Sequence, residues 1–338
     1  MIKYALGRLL VLIQIVLDFM VNTLMIKYVL GRLFYLIPIV LALIFVVFTI
    51  LHFVPGDPTA IILGNEYTPE ASAQLKAELG LDQPFFVQFF NYVLNLIQGD
   101  FGRSYAYDNT VAQMLATAFP NTFKVVMLAM AFCVALGVPI GIYSGTKPNS
   151  IFSIVTMIIA LLGISFPIFF LGLLLIILFT QTLGWLPGLY MDSSFKYFVL
   201  PAIALGANYM ANIMRITRSS MLEAIRQDFV RTAKAKGVSK LGVIYKHAWP
   251  NASLPTITVI GMDIGFLLGG AVLTETVFSI PGTGRMLVQG IGSRDTPTVL
   301  GCLVVMAVCV AISSLVVDLI YAYVDPRIKA QYKTGRVQ

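Results

Sequence analysis

Long runs of apolar residues, separated by short polar stretches, make up most of the chain. The runs cover residues 34–53, 122–143, 151–180, 198–216, 254–273 and 299–324. Each is close to the ~20 residues that an α-helix needs to cross about 30 Å of hydrocarbon. The pattern therefore predicts an all-α polytopic membrane protein with six transmembrane helices.

The stretch between the first two runs, residues 55–118, is polar and acidic. Thr68-Pro69-Glu70 predicts the start of a helix that ends before Gly80, because proline favours the first helical position and glycine the C-terminal cap. The segment from Pro84 to Ile97 predicts a second, amphipathic helix, and one arrangement for it is to lie on the membrane surface. We therefore expect a small, water-exposed helical insertion after the first transmembrane helix.

Composition supports the membrane assignment and excludes other classes. Hydrophobic residues make up 58% and charged residues 12% of the chain, whereas soluble domains have about 45–50% and 25%. The net charge of +7 does not indicate nucleic-acid binding, because the basic residues lie between the apolar runs, where topology places them. The three cysteines lie in apolar runs and show neither metal-ligand nor disulfide spacing.

The distribution of lysine and arginine predicts the orientation. Placing both termini in the cytoplasm leaves six of the 23 basic residues on the outer side: Lys76, Arg103, Lys124, Lys196, Arg285 and Arg294. This bias satisfies the positive-inside rule. The insertion at 55–118 is then extracytoplasmic, and the tail at 328–338 is cytoplasmic.

The first 24 residues repeat the sequence that follows them. Met1–Leu17 and Met25–Leu41 are identical at 13 of 17 positions. The apolar part of the extension is too short to cross a bilayer. We expect residues 1–24 to be interfacial or disordered, with a partial duplication, an upstream start codon and a signal peptide as open explanations. Residues 25–54 then form the first transmembrane helix.

A basic segment, residues 215–250, separates the fourth and fifth runs. Leu222, Ile225, Phe229 and Ala233 share one helical face, and Ser220 to Glu223 fits a capping box. Alternatively, Asp228 begins a separate short helix. Gly237 is a natural helix stop. Ser239 can cap a second helix, which ends at Trp249-Pro250. One face of this second helix contains Val238, Leu241, Tyr245 and Ala248.

These features predict two short helices bent at Gly237. A segment that only fixes topology and binds anionic lipid would explain the basic charge equally well. The residues of this segment do not decide between that interpretation and a specific binding surface.

Motifs along most of the chain resemble the permeases of binding-protein-dependent ABC importers, in the dipeptide, oligopeptide and nickel branch. Arg231-Thr232-Ala233, Gly237 and Trp249-Pro250 match that family's cytoplasmic signature loop, except that an arginine replaces its acidic residue. The other similar segments begin at His52 (HFVPGDP), Gly99 (GDFGRSY), Phe119 (FPNTFKVV), Gly163 (GISFPIFFLGLLLI), Glu275 (ETVFSIPGTGR) and Asp318 (DLIYAYVDPR). The resemblance covers roughly residues 25–327.

The resemblance implies a type I importer fold, with residues 119–327 as the core permease domain in the bacterial or archaeal inner membrane. It also implies a second homologous permease subunit, two ATPase subunits that bind ATP and Mg²⁺, and an extracytoplasmic solute-binding protein. The basic segment would be the coupling loop that contacts an ATPase, with Phe229 and Ala233 on the contact side. Its expected coupling residues are Asp228, Phe229, Arg231, Thr232, Ala233, Lys236, Gly237 and Pro250. The sequence contains no Walker A motif, so we do not expect the chain itself to be an enzyme.

Polar residues inside the apolar runs are candidates for the translocation path, because such residues are costly in a membrane. The candidates are Ser165, Asn208, Asn212 and Asp263. Hydrogen bonding between helices is the alternative role for the two asparagines and for Asp263, and Ser165 is expected at a kink beside Pro167.

Three further charged residues have expected roles. Asp318 is expected to be a structural intramembrane charge paired with a basic residue. Glu275 and Arg285 flank a turn on the outer side, where they form an outer gate, contact the binding protein or are merely solvated. Gly261, Gly265 and Gly269 recur at every fourth position and predict close helix packing or a pore lining.

The cargo remains open between dipeptides, oligopeptides, nickel chelates and oligosaccharides. A self-contained carrier would need inverted repeats or many intramembrane charges, and Asp263 and Asp318 are the only charged residues away from the ends of the runs. A membrane enzyme would need a clustered catalytic set, which the sequence does not present.

Overall fold

The computed structural model describes residues 23–53 and 57–324. Within these ranges the chain is almost entirely helical, as the hydrophobic pattern predicts. The helices, in chain order, are α1 (Thr23–Phe53), α2 (Pro58–Leu63), α3 (Pro69–Glu78), α4 (Phe85–Ile97), α5 (Val111–Thr146), α6 (Ile151–Ser165), α7 (Ile168–Leu175), α8 (Lys196–Ile225), α9 (Asp228–Ala235), α10 (Lys240–Gly242), α11 (Trp249–Val277), α12 (Thr283–Gly292) and α13 (Thr296–Val324). Two π-helical segments, Ile176–Thr182 and Val243–Ala248, extend α7 and join α10 to α11.

In the described part of the chain, five helical segments are long and apolar enough to cross a membrane, and a bent pair makes a sixth. The run predicted as one span over 151–180 consists of two helices, because α6 and α7 meet at an angle of 109°. Proline disfavours the helical conformation of the residue before it, and Phe166 is extended, with φ −86° and ψ 132°. Pro167 therefore ends α6, and the six-span prediction holds only if the bent pair counts as one span.

Several helices extend beyond the apolar runs. Helix α5 begins at Val111, where the Thr110 hydroxyl accepts a hydrogen bond from the Gln113 N–H and the Gln113 side chain accepts one from the Thr110 N–H. Helix α8 continues to Ile225, well past the end of its apolar run. Hydropathy marks the part of a helix inside lipid, whereas caps mark the end of the helix itself.

The centre of the fold is the pair α5 and α8, which approach closely along a line of glycines. Gly137, Gly141 and Gly145 lie one helical turn apart on α5. A Cβ atom at these positions would lie 2.9 Å, 2.7 Å and 2.9 Å from the carbonyl oxygens of Met210, Met214 and Arg218 on α8, respectively. The absence of a side chain at these glycines allows the two backbones to pack in direct contact.

The glycines of α11 contribute a second close contact. A Cβ atom at Gly261 would lie 2.2 Å from Val317 of α13, and one at Gly265 would lie 3.3 Å from Val310. Gly269 has open space around it. The prediction of close packing is therefore confirmed at the first two glycines, whereas Gly269 makes no close contact within the described chain.

Asp57 organises the start of the insertion. Its carboxylate accepts hydrogen bonds from the Thr59 N–H and hydroxyl at 3.0 and 2.7 Å, and it pairs with Lys76 of α3 at 2.6 Å. The Lys76 hydrogen bond is the main reason that the pKa of Asp57 falls to about 2. As predicted, Thr68 caps α3 through the Ala71 N–H, and Gly80, with φ +66°, follows its end.

The predicted terminal segments lie largely outside the described residues. Of the extension 1–24, only Thr23 and Leu24 are described, and they begin α1. The predicted cytoplasmic tail 328–338 is also outside the described ranges, as are Val54, Pro55 and Gly56 of the HFVPGDP segment.

Candidate functional site

The basic segment forms two short helices joined by a bend. Helix α9 is separate from α8, because Gln227 is extended, with φ −71° and ψ 151°. Gly237 follows α9 with φ +78°, a left-handed conformation that glycine adopts without strain. Ser239 then caps α10 by accepting a hydrogen bond from the Gly242 N–H at 3.2 Å. The prediction of two helices bent at Gly237 is confirmed.

One face of α9 is packed against the transmembrane helices. Val230 and Ala233 are buried in a cluster with Met221 and Ala224 of α8 and with Val243. This cluster also includes Ile142 of α5 and Ala252 of α11. Helix α9 is therefore in direct contact with three membrane helices, α5, α8 and α11.

The other face of the segment is exposed. Phe229 is 41% exposed, although its neighbour Val230 is fully buried, and Leu241 and Tyr245 also point away from the chain. Large apolar side chains that are exposed together are typical of surfaces that bind another protein or a membrane. Ala233, predicted on the contact side with Phe229, faces the transmembrane helices instead.

Four details of this segment differ from the sequence prediction. Ser220–Glu223 lies within α8 and is not a capping box. Because the helix is interrupted at Gln227, the residues from Leu222 to Ala233 do not share one helical face. Leu241 and Tyr245 are exposed whereas Ala248 is buried, so they do not share a buried face. Pro250 does not end the helix, because it occupies the first turn of α11, after a π-helical segment.

The polar residues of α9 and the following bend are exposed to solvent. Asp228 and Arg231 form an exposed ion pair at 3.5 Å, and the Thr232 hydroxyl donates to the Asp228 carbonyl at 3.0 Å. Lys236 is exposed at the end of the helix. An exposed ion pair contributes little to stability, so these charges are available to a partner.

Two of the candidate path residues lie together at the break between α6 and α7. Ser165 is exposed, and its hydroxyl donates to the Leu161 carbonyl at 2.9 Å. The Asn208 side chain of α8 donates to the carbonyl of Phe166 at 3.4 Å. The predicted kink at Ser165 is confirmed, and Asn208 bridges helices at that kink.

The other polar residues of the membrane helices lie elsewhere. Asn212 accepts a hydrogen bond from Arg215, one turn further along α8, at 3.2 Å. Asp263 of α11 is 4% exposed, and one of its oxygens has no hydrogen-bond partner among the described residues. Asp263 is thus buried within this chain, and its role in the path stays a prediction. The side chain of Asp318 is outside the described part of the structure, so its predicted pairing stays a prediction.

The outer turn is built around Glu275, whose side chain is fully buried. Its carboxylate accepts a hydrogen bond from the Arg285 N–H at 3.0 Å, at the start of α12. The Arg285 guanidinium donates to the Ser279 carbonyl at 2.6 Å instead of pairing with the Glu275 carboxylate. The two side chains therefore do not form the predicted ion pair, and Glu275 is not solvated.

Two of the motifs that carried the resemblance contact each other at this turn. The Thr122 hydroxyl of α5 accepts a hydrogen bond from the Thr283 N–H at 2.8 Å, and Asn121 donates to the Pro281 carbonyl at 2.9 Å. A Cβ atom at Gly282 would lie 2.3 Å from the Glu275 carboxyl carbon. This close approach explains why a glycine stands at position 282 of this motif.

Sequence reasoning missed Asp295, which is fully buried. It caps α13 by accepting hydrogen bonds from the Thr298 N–H at 3.3 Å and hydroxyl at 2.7 Å, and Ser104 of the insertion also donates to it. The nearby Tyr105 is half-buried, and its loss of solvent raises its pKa to about 12. The Asp-x-x-Thr pattern at 295–298 is a capping signal that was visible in the sequence.

Comparisons with known proteins agree with this architecture. Residues 25–131 match the N-terminal family model of binding-protein-dependent transport system membrane components, and residues 137–330 match the model of the inner membrane component. The dipeptide transport system permease of Alkalihalophilus pseudofirmus is 42% identical over 97% of this chain and 100% of that protein. The glutathione transport system permease of Salmonella choleraesuis is 40% identical over 84% of this chain and 92% of that protein.

Among solved structures, an amino acid ABC transporter crystallised with histidines matches 62% of this chain and 94% of its own chain. The TM-score is 0.50 and the sequence identity is 16%, so this likeness concerns the fold alone. The family models and the two relatives together cover the described helices from α1 to α13. The chain belongs to the family of multi-pass inner-membrane permeases of binding-protein-dependent ABC importers.

Proposed function

We propose that this permease imports dipeptides or short oligopeptides that an extracytoplasmic binding protein delivers. The observation that carries the proposal is the 42% identity, over nearly the whole chain, to a relative named for dipeptide transport. A second relative is named for glutathione, which is itself a small peptide. Nickel chelates and oligosaccharides are the alternative cargo within the same fold.

The exposed apolar side chains of the basic segment are the proposed contact with an ATPase subunit. Phe229, Leu241 and Tyr245 would enter a groove of that subunit, as an amphipathic helix does in helix-in-groove recognition. Arg231 and Lys236 lie at the rim of this contact, where charge affects the rate of association more than the affinity. Because Val230 and Ala233 fix α9 to α5, α8 and α11, movement of the ATPase would tilt these helices.

The break between α6 and α7 is the proposed part of the translocation path on this chain. Asn208 lies about 18 Å from the outer end of α8, at 1.5 Å per residue, which puts the break at membrane depth. Non-helical backbone at that depth is tolerated where it is buried in protein or lines a water-filled cavity. Ser165 and Phe166 are exposed on this chain, so we assign them to the surface that faces the path.

The complete importer would contain a second homologous permease and two ATPase subunits, with both termini of this chain in the cytoplasm. ATP and Mg²⁺ would bind to the ATPase subunits, and this chain supplies half of the path. A self-contained secondary carrier is the alternative from another class. Dependence of uptake on the ATPase subunits separates the two.

The test is uptake by proteoliposomes that contain the assembled importer, with its binding protein supplied outside. Labelled dipeptide, nickel chelate and oligosaccharide are compared at equal concentration, with ATP or a non-hydrolysable analogue inside. We expect dipeptide uptake that requires ATP and the binding protein. Uptake of only the nickel chelate or the sugar would refute the peptide cargo, and uptake without the ATPase subunits would refute the coupled mechanism.

A further inference from the structure

Helix α4 has three distinct faces, although it carries no charged residue. Its inner face consists of Phe85, Phe89, Tyr92, Val93 and Leu96, which pack against α1 and α13. Its second face consists of large exposed apolar side chains: Phe86, Val87, Phe90, Leu94 and Ile97. Its third face is a stripe of uncharged amides: Gln88, Asn91, Asn95 and Gln98.

The contacts of the inner face place α4 below the outer ends of its neighbours. The Phe89 ring lies 5.2 Å from the Phe45 ring of α1 and 5.7 Å from the Phe48 ring. At 1.5 Å per residue, Phe45 lies about 12 Å and Phe48 about 7.5 Å before the end of α1 at Phe53. Helix α4 therefore crosses α1 within the apolar segment that spans the membrane.

Helix α13 gives the same depth independently. Leu300 and Val304 of α13 belong to the cluster that holds Phe89. Val304 lies about 12 Å from the outer end of α13 at Thr296, again at 1.5 Å per residue. Two membrane-crossing helices thus agree that α4 lies at the level of the hydrocarbon.

The exposed apolar face of α4 continues the exposed apolar surface of α1. Phe90 is 59% and Leu94 is 56% exposed, and Val46 and Ile50 of α1 are 53% and 57% exposed. The amide stripe forms the remaining third of the helix surface. From this stripe, the Asn91 side chain donates a hydrogen bond to the Gln83 side chain beside it at 3.2 Å. A helix with one apolar and one polar exposed face lies in the membrane interface, typically 5–10 Å deep.

We infer that α4 is embedded in the outer leaflet, with lipid acyl chains covering the face formed by Phe86, Phe90, Leu94 and Ile97. At 13 residues the helix is too short to cross the bilayer. The amide stripe faces the headgroups, where uncharged polar groups are solvated. The insertion is therefore divided into a water-exposed part, α2 and α3, and a lipid-bound part, α4. This inference does not depend on the cargo.

Spin labels at single cysteines along α4 test this placement in the full chain reconstituted into liposomes. The native Cys133, Cys302 and Cys309 are first replaced by alanine. For each label, the measured quantity is the ratio of its accessibility to oxygen to its accessibility to a water-soluble nickel reagent. This ratio should be severalfold higher for labels at Phe90 and Leu94 than for labels at Asn91 and Asn95. A label at Glu78, on the exposed part of α3, is the water-exposed control.

Each other pattern of accessibility overturns the inference. If labels at Phe90 and Leu94 meet the nickel reagent as readily as the label at Glu78, this face lies in water. If they meet neither reagent, protein covers the face, and a second permease subunit or the binding protein is its occupant.

A matched pair of variants tests the same placement with the native cysteines retained. Leu94→Asp puts a carboxylate among acyl chains, whereas Asn95→Asp puts it in the amide stripe at the next position. We expect a lower melting temperature in lipid nanodiscs for Leu94→Asp and little change for Asn95→Asp. Equal melting temperatures would contradict an embedded face at Leu94.

Discussion

Two regions of this permease use glycine for opposite physical reasons. In the membrane, Gly141 of α5 has a helical backbone, but a Cβ atom there would lie 2.6 Å from Thr217 and 2.7 Å from the Met214 carbonyl. In the basic segment, a Cβ atom at Gly237 would have nothing within 4 Å, but the φ of this residue is +78°. The first glycine is required by its neighbours and the second by its own backbone. The pair α5 and α8 is therefore built for close contact, whereas the bend at Gly237 fixes the direction in which the chain leaves α9.

The largest expected effect comes from filling the contact between α5 and α8. Gly141→Ala should lower the free energy of unfolding by roughly 1–3 kcal/mol, the usual cost of overpacking a close contact. Gly163→Ala is the matched control, because Gly163 lies in α6 with open space around it. Thermal unfolding in detergent measures both variants. Equal stability of the two would show that α5 and α8 can separate without cost.

Changing Gly237 should affect coupling more than folding. Valine at a positive φ costs on the order of 1–3 kcal/mol, which the exposed bend can relieve by changing direction. Gly237→Val should therefore reduce ATP-driven uptake while the protein remains inserted. Gly237→Asn should retain most of the activity, because asparagine tolerates the left-handed conformation. If the valine variant imports normally, the bend does not set the direction of the coupling surface.

Neighbouring residues of α9 separate its two faces. Val230→Ala removes two buried methyl groups and should lower the free energy of unfolding by roughly 1.6 kcal/mol, at about 0.8 kcal/mol per group. Phe229→Ala should leave stability nearly unchanged but weaken copurification of the ATPase subunit, because Phe229 is exposed. Thermal unfolding and pull-down of the ATPase measure the two effects. A Phe229→Ala variant that unfolds early and still binds the ATPase would reverse the assignment of the faces.

The smallest expected effect concerns the water-exposed insertion, where charge replaces close packing. The pKa of Asp57 is lowered to about 2 in the folded chain, so the unfolded chain binds its proton more readily. The stabilisation is therefore present above the ordinary pKa near 4 and is lost as the pH falls through about 2. The protection of α2 and α3 against hydrogen exchange, relative to the intrinsic exchange rate at each pH, should therefore fall between pH 5 and 2. Asp57→Asn should remove that change, whereas Glu70→Gln should keep it.

Much of the fold could be predicted because membrane helices leave a direct signal in hydropathy. The spans, the α3 caps and the bend at Gly237 follow from local rules about apolar length, proline and left-handed glycine. The helix ends were less accurate, since caps such as Thr110 and Gln113 lie outside the apolar runs. The 109° break was foreseen only as a kink at Ser165, because Pro167 indicates a break but not its angle.

The candidate site was only partly predictable, because burial depends on contacts between distant segments. Phe229 and Ala233 were predicted to share a contact face, but the extended Gln227 rotates α9 so that Ala233 faces the membrane helices. An outer-gate ion pair was one of the roles expected of Glu275 and Arg285. Instead the carboxylate lies at the start of α12, where backbone N–H groups donate hydrogen bonds to a negatively charged group. The close approach of Gly137, Gly141 and Gly145 was visible as a four-residue spacing and was missed.

The sequence by itself determined that this chain is a membrane permease, since long apolar runs, basic residues on one side and ordered motifs are local properties. The tertiary structure alone decided which side of each helix is buried against the rest of the chain and which side is exposed. It showed that α4 lies beside the C-terminal half of α1, that Asp263 is buried within the chain and that Asp295 joins the insertion to α13. Such outcomes depend on which distant backbones come close together, and the spacing of residues along one helix does not specify its neighbours.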